Sequence, residues 1–493
     1  MDSTKIFLLI IGNALNITFS LIFFYLIRIL FSIEIVGSYG VLLSFIFTFS
    51  FINDLGFNIP YLKFYADAKD SKEKAICNGA FLTIRGIQFV TYSIVILSLI
   101  PIIPVYEGEL LVVYIFFVAM GFLRLTFFEP IFMSKKEAFK RSIIAIFTNF
   151  LKNVLLIISI FFFERTIWLL VYIILIPHMI NFFLSLYSIK DRKFNRPNLA
   201  YLKKFFTYSF PLVLTSIFLI IVNNIDVLFL NEWSDIDNVA NYFTAKQLFS
   251  YFLIITTSIS NILITTFSNN ISEGKLKRNI KIANYIHKIL NLLVVPLIFV
   301  TILYANDLFV FIFGANYGLT GQILFIFIFI LFPMSLDIAN TVQLQALGKL
   351  KFYALFSIIE NITSMILMIF FISPAFLNLD VFGGALSYLI SKILIQLIYR
   401  PIIYKKFNLG FYWGSLRNLL IMTGIFLIQW WINNIFTFPI FFIPIFTVFD
   451  IIVYFLINYL LKGFSKQDIR FVIKTLNIKR VFKSITSEYK VKS

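Results

Sequence analysis

The chain has 493 residues, 60% of them hydrophobic and 13% charged, with a mean hydropathy of +0.93. That balance excludes a soluble globular protein and describes a polytopic membrane protein. A net charge of +18 would point a soluble chain toward nucleic acid, but here the basic residues crowd the loops of one side, so topology accounts for them and no nucleic-acid partner is expected.

A run of about twenty apolar residues fits the roughly 30 Å hydrocarbon layer as a helix. The apolar runs here are of that length, about twice a barrel strand, and do not alternate, so helices and not a barrel are expected. In chain order the predicted spans are 6–27, 39–61, 79–103, 110–128, 143–163 and 167–186, then 210–230, 242–267, 286–304, 321–342, 354–372 and 384–403, and finally 419–435 and 439–461. The first is too long for a signal-peptide core and lacks a small-residue cleavage site, so it is kept as a spanning helix. The predicted fold class is therefore all-α, with about fourteen transmembrane helices. The single Cys77 excludes an internal disulfide.

An internal echo divides the chain. Ile33-Glu34-Ile35-Val36-Gly37-Ser38-Tyr39 returns as Ile236-Asp237-Asn238-Val239-Ala240-Asn241-Tyr242, each time between the first and second spans of a half. Internal repeats of this kind are common among transporters. The expected organisation is an N-terminal six-helix bundle (1–190), a basic cytoplasmic linker (191–204), a C-terminal six-helix bundle (205–404), two further helices (405–461) and a basic tail (462–493). In the tail, Ser465 and Asp468 have the spacing of a capping pair, and Ile469, Val472, Ile473 and Leu476 share one helical face. It is either an amphipathic helix on an anionic leaflet or a solvated basic tail.

Loop charge tests the segmentation separately. Alternate connections carry Lys63, Lys69, Lys72 and Lys74; Lys135, Lys136, Lys140 and Arg141; Lys190, Arg192, Lys193, Arg196, Lys203 and Lys204; Lys275, Lys277, Arg278 and Lys281; Lys349 and Lys351; and Arg400, Lys405, Lys406 and Arg417. The intervening loops hold Arg28 and Arg165. A missed helix would scramble this alternation, so both termini are placed in the cytoplasm of a multi-pass cell-membrane protein.

Ionisable side chains inside a membrane are costly and face a cavity or a partner. The basic ones are Arg85, Arg124, Lys152, Lys246 and Lys392, with Lys152 and Lys392 deepest along their spans. Asn149, Lys152 and Asn153 share one helical side, as do Arg85, Gln88 and Tyr92, Lys246, Ser250 and Thr257, and the uncharged set Asn13, Asn16 and Ser20. Inward-facing cations would suit a phosphate or diphosphate; alternatively each snorkels to an interface or balances an acid. The acids Asp54, Asp226, Asp337 and Glu360 are candidates for ion coupling or for structural ion pairs. His178, midway along the sixth span, is either a proton shuttle or a satisfied membrane histidine; His287 falls at a cytoplasmic edge. No Gly-rich phosphate loop, metal-ligand cluster or large outer loop is present in the sequence, so no enzyme activity, metal or cofactor is expected.

Taken together, Arg28, Glu34, Gly37 and Tyr39, then Asp54-Leu55-Gly56-Phe57 followed by Lys63, with YSFPLVLTS at 208–216, NIDVLFL at 224–230, FIFGANY at 311–317 and LQALGKLKF at 344–352, resemble the polysaccharide flippases of the multidrug/oligosaccharidyl-lipid/polysaccharide (MOP) exporter superfamily. Lys63 stands where that family often has Arg, which keeps the charge and loses the planar fork. The resemblance covers nearly the whole chain. It implies a MATE-like fold of two six-helix bundles rocking around a central cavity. It also implies that the last two helices are additions, which in lipid II flippases help form a groove for a lipid tail. The implied cargo is a lipid-linked oligosaccharide on a polyprenyl phosphate or diphosphate, with membrane lipids and a glycan polymerase or other assembly proteins as partners. Two other functions stay open: an ion-coupled multidrug or organic-cation antiporter of the same superfamily, and an integral-membrane glycan enzyme or assembly scaffold.

Overall fold

The computed structural model describes residues 3–464 apart from residues 54, 69, 100–117, 122–127, 135–137, 189–193, 198, 408–412 and 436–441. Among the described residues the regular structure is helical throughout, and eleven helices are long and apolar enough to cross a membrane. The expected fourth span falls largely outside the described residues, as does the basic tail. Large apolar side chains such as Phe161, Leu397, Leu420 and Ile452 stand exposed, as a surface in contact with lipid requires.

The chain divides into two compact units, Met1–Leu228 and Phe229–Asn477. In the first, α1 (Ser3–Leu30) packs along α6 (Ala138–Ser159), and α6 along α7 (Ile167–Ser188), against which α2 (Ile33–Phe49) also lies. The second predicted span is not one helix. After α2 the chain makes a single 3-10 turn, Ser50–Ile52, and restarts as α3 (Asn58–Asp67), packed on α4 (Ser71–Leu99) and α5 (Glu129–Ser134). Gly56, at φ 68°, supplies the left-handed backbone that a side chain would resist. Phe57, Tyr61, Phe64, Phe81, Phe132 and Phe205 form the core behind this break.

The second unit takes up the end of α8 (Leu199–Trp233) and continues through α9 (Ile236–Ser272), α10 (Leu276–Phe313), α11 (Gly318–Phe329), α12 (Leu331–Ser335), α13 (Ile338–Ala346), α14 (Leu350–Ile372), α15 (Asp380–Phe407), α16 (Gly414–Ile435) and α17 (Ile443–Leu460). Helix α10 packs on α11 and α16, α9 on α11 and α13, α14 on α15, and α16 on α17. The tenth predicted span is likewise in pieces, α11 to α13. Pro333 has no N–H to donate to the carbonyl of Phe329; after it Asp337 N turns to Met334 O, and the Pro333 carbonyl accepts from Leu336 N at 3.3 Å and from Gln396 Nε2 of α15 at 2.8 Å.

The sequence echo has a common structural meaning in the two units. Each copy opens a helix, α2 or α9, and the first-turn bond repeats, Val36 N to Ser32 O at 3.1 Å and Val239 N to Asp235 O at 3.0 Å. Val36 and Tyr39, like Val239 and Tyr242, are buried. Between apolar protein and apolar lipid tails the hydrophobic term is small, so close packing and polar links hold such helices together.

Candidate functional site

In the first unit the polar face of α6 meets α1. Asn149 Nδ2 donates to Asn16 Oδ1, and Asn153 Nδ2 donates to Phe19 O at 2.9 Å and Asn149 O at 2.8 Å. Lys152 lies between them on the same side, half-buried, with Nζ 5.2 Å from the centre of the Phe23 ring. Among the described residues no carboxylate pairs with it. The i, i+3, i+4 spacing thus gathers two amides and a cation at mid-helix, and the amides are spent on α1 while the ammonium is left to a ring. An ammonium without a counter-ion at such depth favours an anion of any kind that reaches it.

Arg85 is used differently. It is fully buried, and its guanidinium donates to Asn53 O and Asn58 Oδ1 and to Gln88 Oε1 at 3.0 Å, over the Phe81 ring at 4.9 Å. Gln88 Nε2 donates to Ile52 O at 2.8 Å, and Asn53 Nδ2 to Gly121 O at 3.1 Å. The two side chains that share a face of α4 therefore satisfy carbonyls released by the break between α2 and α3, the repair that a membrane interior demands. Gln88, Asn53 and Asn58 were not singled out as partners of the break by sequence; the turn-forming Asn-Asp-Leu-Gly run was the available signal. The arginines of the opposite loops are also spent on backbone: Arg28 donates to Phe24 O at 3.0 Å and Arg165 to Leu30 O, at the end of α1, at 3.1 Å.

In the second unit Lys246 sits in an aromatic cradle, its Nζ 3.4 Å from Tyr388 Oη and 5.9 and 5.4 Å from the Tyr242 and Tyr388 rings. Lys392 and Glu360, placed by sequence in different roles, form one ion pair between α15 and α14 at 3.0 and 3.1 Å. Asp337 opens α13 immediately after the break, 4% exposed. Its carbonyl accepts from Asn340 N and Thr341 N, and its carboxyl lies within electrostatic reach of Lys392, Arg400 and Glu360. His287 is fully buried near Arg400. Asp226 is fully buried in α8, and its Oδ1 accepts from Val227 N at 2.9 Å. Arg124 and Asp54 lie outside the described residues. The structure thus brings together Asn149 with Lys152 and Lys392 with Glu360 and Asp337, and it engages Arg85 within the backbone break.

One buried acid was missed by sequence. Asp450 of α17 is 2% exposed and accepts from Tyr304 Oη of α10 at 3.5 Å. Its lone carboxyl inside an apolar helix was the signal.

Comparison with known structures places this architecture. A lipid II flippase MurJ in an inward closed conformation is similar over 92% of this chain and 98% of its own, with a TM-score of 0.75 and 16% identity. A multidrug resistance MATE family transporter of the MOP superfamily, inward-facing, is similar over 82% and 99%, with a TM-score of 0.62 and 15% identity. A MOP superfamily transporter from Pyrococcus furiosus, described by a binding pocket of reversed polarity, gives 82%, 96%, 0.56 and 14%. The protein is therefore a multi-pass membrane protein with the fold of the MOP superfamily. Residues 3–270 match the model of the polysaccharide biosynthesis protein family, and the chain belongs to that family. No curated protein matches it in sequence.

Proposed function

We propose that this protein is a flippase that carries a lipid-linked oligosaccharide, on a polyprenyl phosphate or diphosphate, across the cytoplasmic membrane by alternating access, for assembly of cell-surface polysaccharide or glycoconjugate. The observation that carries the reading is Lys152, a mid-helix ammonium with a ring and two amides beside it and, among the described residues, no carboxylate partner. Such a group suits the phosphate of a lipid headgroup. Within the second unit Lys246, beside the rings of Tyr242 and Tyr388, is a cation next to aromatic faces that suit a sugar. Arg124 is a further headgroup ligand, Arg85 and Asn149 position the elements that carry the site, and Lys392 acts through its pair with Glu360. Asp54, Asp226, Asp337 and Glu360 are the candidates for ion coupling. The cargo leaves chemically unchanged, so the protein is a transporter and not an enzyme; both termini lie in the cytoplasm, and a glycan polymerase or other assembly protein receives the product.

The family match and the likeness to a lipid II flippase support this reading. A drug antiporter would want cavity acids free for an organic cation, whereas Glu360 is paired with Lys392. The test is flipping by purified protein in liposomes, with a lipid-linked oligosaccharide and a sugar-specific probe confined to the outer leaflet. Lys152→Ala is expected to slow movement about tenfold or more, a loss of ~1.4 kcal/mol or more of transition-state stabilisation, and Lys152→Arg to restore part of it. Equal movement in wild type and Lys152→Ala removes Lys152 from the site. No movement in folded wild type under an imposed ion gradient overturns the flippase reading.

A further inference from the structure

Asp450 stands apart from the acids of the two bundles. Between Arg417 and Lys462 it is the single Asp, Glu, Lys, Arg or His in the sequence, and it lies near the middle of α17, almost wholly buried. Helix α17 packs on α16 and α10. From α10, Tyr304 aims its hydroxyl at Asp450 Oδ2 at 3.5 Å. From α16, Gln429 and Asn433 present amides to the same hydroxyl, and Gln429 Nε2 also donates to Asn433 Oδ1 at 3.2 Å. On α17 itself Tyr454, one turn on, shares the buried face. The groups facing Asp450 are thus phenols and amides, and among the described residues no Lys, Arg or His stands with them. The connection from α16 to α17, residues 436–441, holds no charged residue in the sequence.

A buried carboxylate needs a counter-charge or a set of donors. One long hydroxyl contact is neither. A metal cation would ask for a shell of oxygen ligands, whereas Tyr304 turns an O–H toward the carboxyl. A neutral carboxylic acid accepts from Tyr304 through one oxygen and carries no charge to solvate.

We propose that Asp450 is a proton-binding site that seats the accessory helix pair α16–α17 on α10. The acid keeps its O–H bond while α17 is docked. When α17 shifts and water reaches the group, that bond breaks, the proton passes to water, and the carboxylate left behind opposes redocking. Proton occupancy therefore sets how firmly the pair is held, and this holds for whatever cargo the bundles carry.

The test is infrared spectroscopy of the full-length protein in liposomes, following the C=O stretch of protonated carboxyl groups as pH is raised, in wild type and Asp450→Asn. A band present in wild type, absent from the Asn variant and fading as pH rises is the expected result. Equal band intensity in the two proteins at every pH overturns the proposal. So does a band that collapses when sodium is added at constant pH, which would give the site to a metal cation. Should Asp450→Asn fail to fold, Tyr304→Phe keeps the acid and is expected to move the band's frequency; an unmoved band in that folded variant also overturns it. The measurement uses no cargo, so its failure is distinct from failure of the flippase reading.

Discussion

Lys392 and Glu360 show how a single contact changes the meaning of two residues. Their side chains are 20% and 27% exposed, and removing one partner leaves the other charge half-buried and uncompensated. Glu360→Gln is expected to lower stability by about 2 kcal/mol, below the 3–5 kcal/mol of a fully buried pair, and Glu360→Gln with Lys392→Met to recover most of it. Thermal unfolding in detergent checks both, and additive losses would show that the pair is not coupled. Arg85 is the opposite case: Arg85→Met strips donors from Asn53 and Asn58 at once and is expected to cost about 3 kcal/mol, read by the same melt. Sequence showed that these groups were intramembrane and expensive, because depth along an apolar run is legible. It did not show which were paired, since partners such as Lys392 and Glu360 lie on different helices and periodicity reports one helix at a time.

At the scale of the element, hydropathy located the spans well and their interruptions badly. A window sum records how apolar 39–61 or 321–342 is, and it is blind to whether each carbonyl has a donor. The breaks after Ile52 and around Pro333 exist because Gln88, Arg85 and Gln396 supply donors from neighbouring helices. Close approach was equally hidden. A Cβ on Gly321 would meet Asn306 N at 2.4 Å and Ala305 C at 2.7 Å, so α11 can lie on α10 only where no side chain intervenes. Gly321→Ala is expected to destabilise by about 1–3 kcal/mol. Gly424→Ala in α16, where nothing lies within 4 Å, is expected to be neutral or to stabilise by up to about 1 kcal/mol. A comparison of the two melting temperatures decides whether backbone contact or helix propensity governs these positions.

For the whole molecule the alternation of basic loops is the most economical statement of topology, and it is open to direct measurement. Cys77 is buried, so new cysteines report against a quiet background. Lys275→Cys, in the turn between α9 and α10, is expected to react with an impermeant maleimide only from the cytoplasmic side, and Phe376→Cys, between α14 and α15, only from outside. Reaction of both from one side would refute the assigned orientation. The ion pair between α14 and α15 then bears on how the protein is made. A lone Lys at the centre of a helix costs about 3 kcal/mol to insert, and α14 with an unneutralised Glu360 has no better reason to stay in lipid. Ser373–Leu379 is too short to let the two helices wander apart during synthesis, so α14 and α15 are expected to enter the bilayer together as one hairpin, each charge carried in by the other.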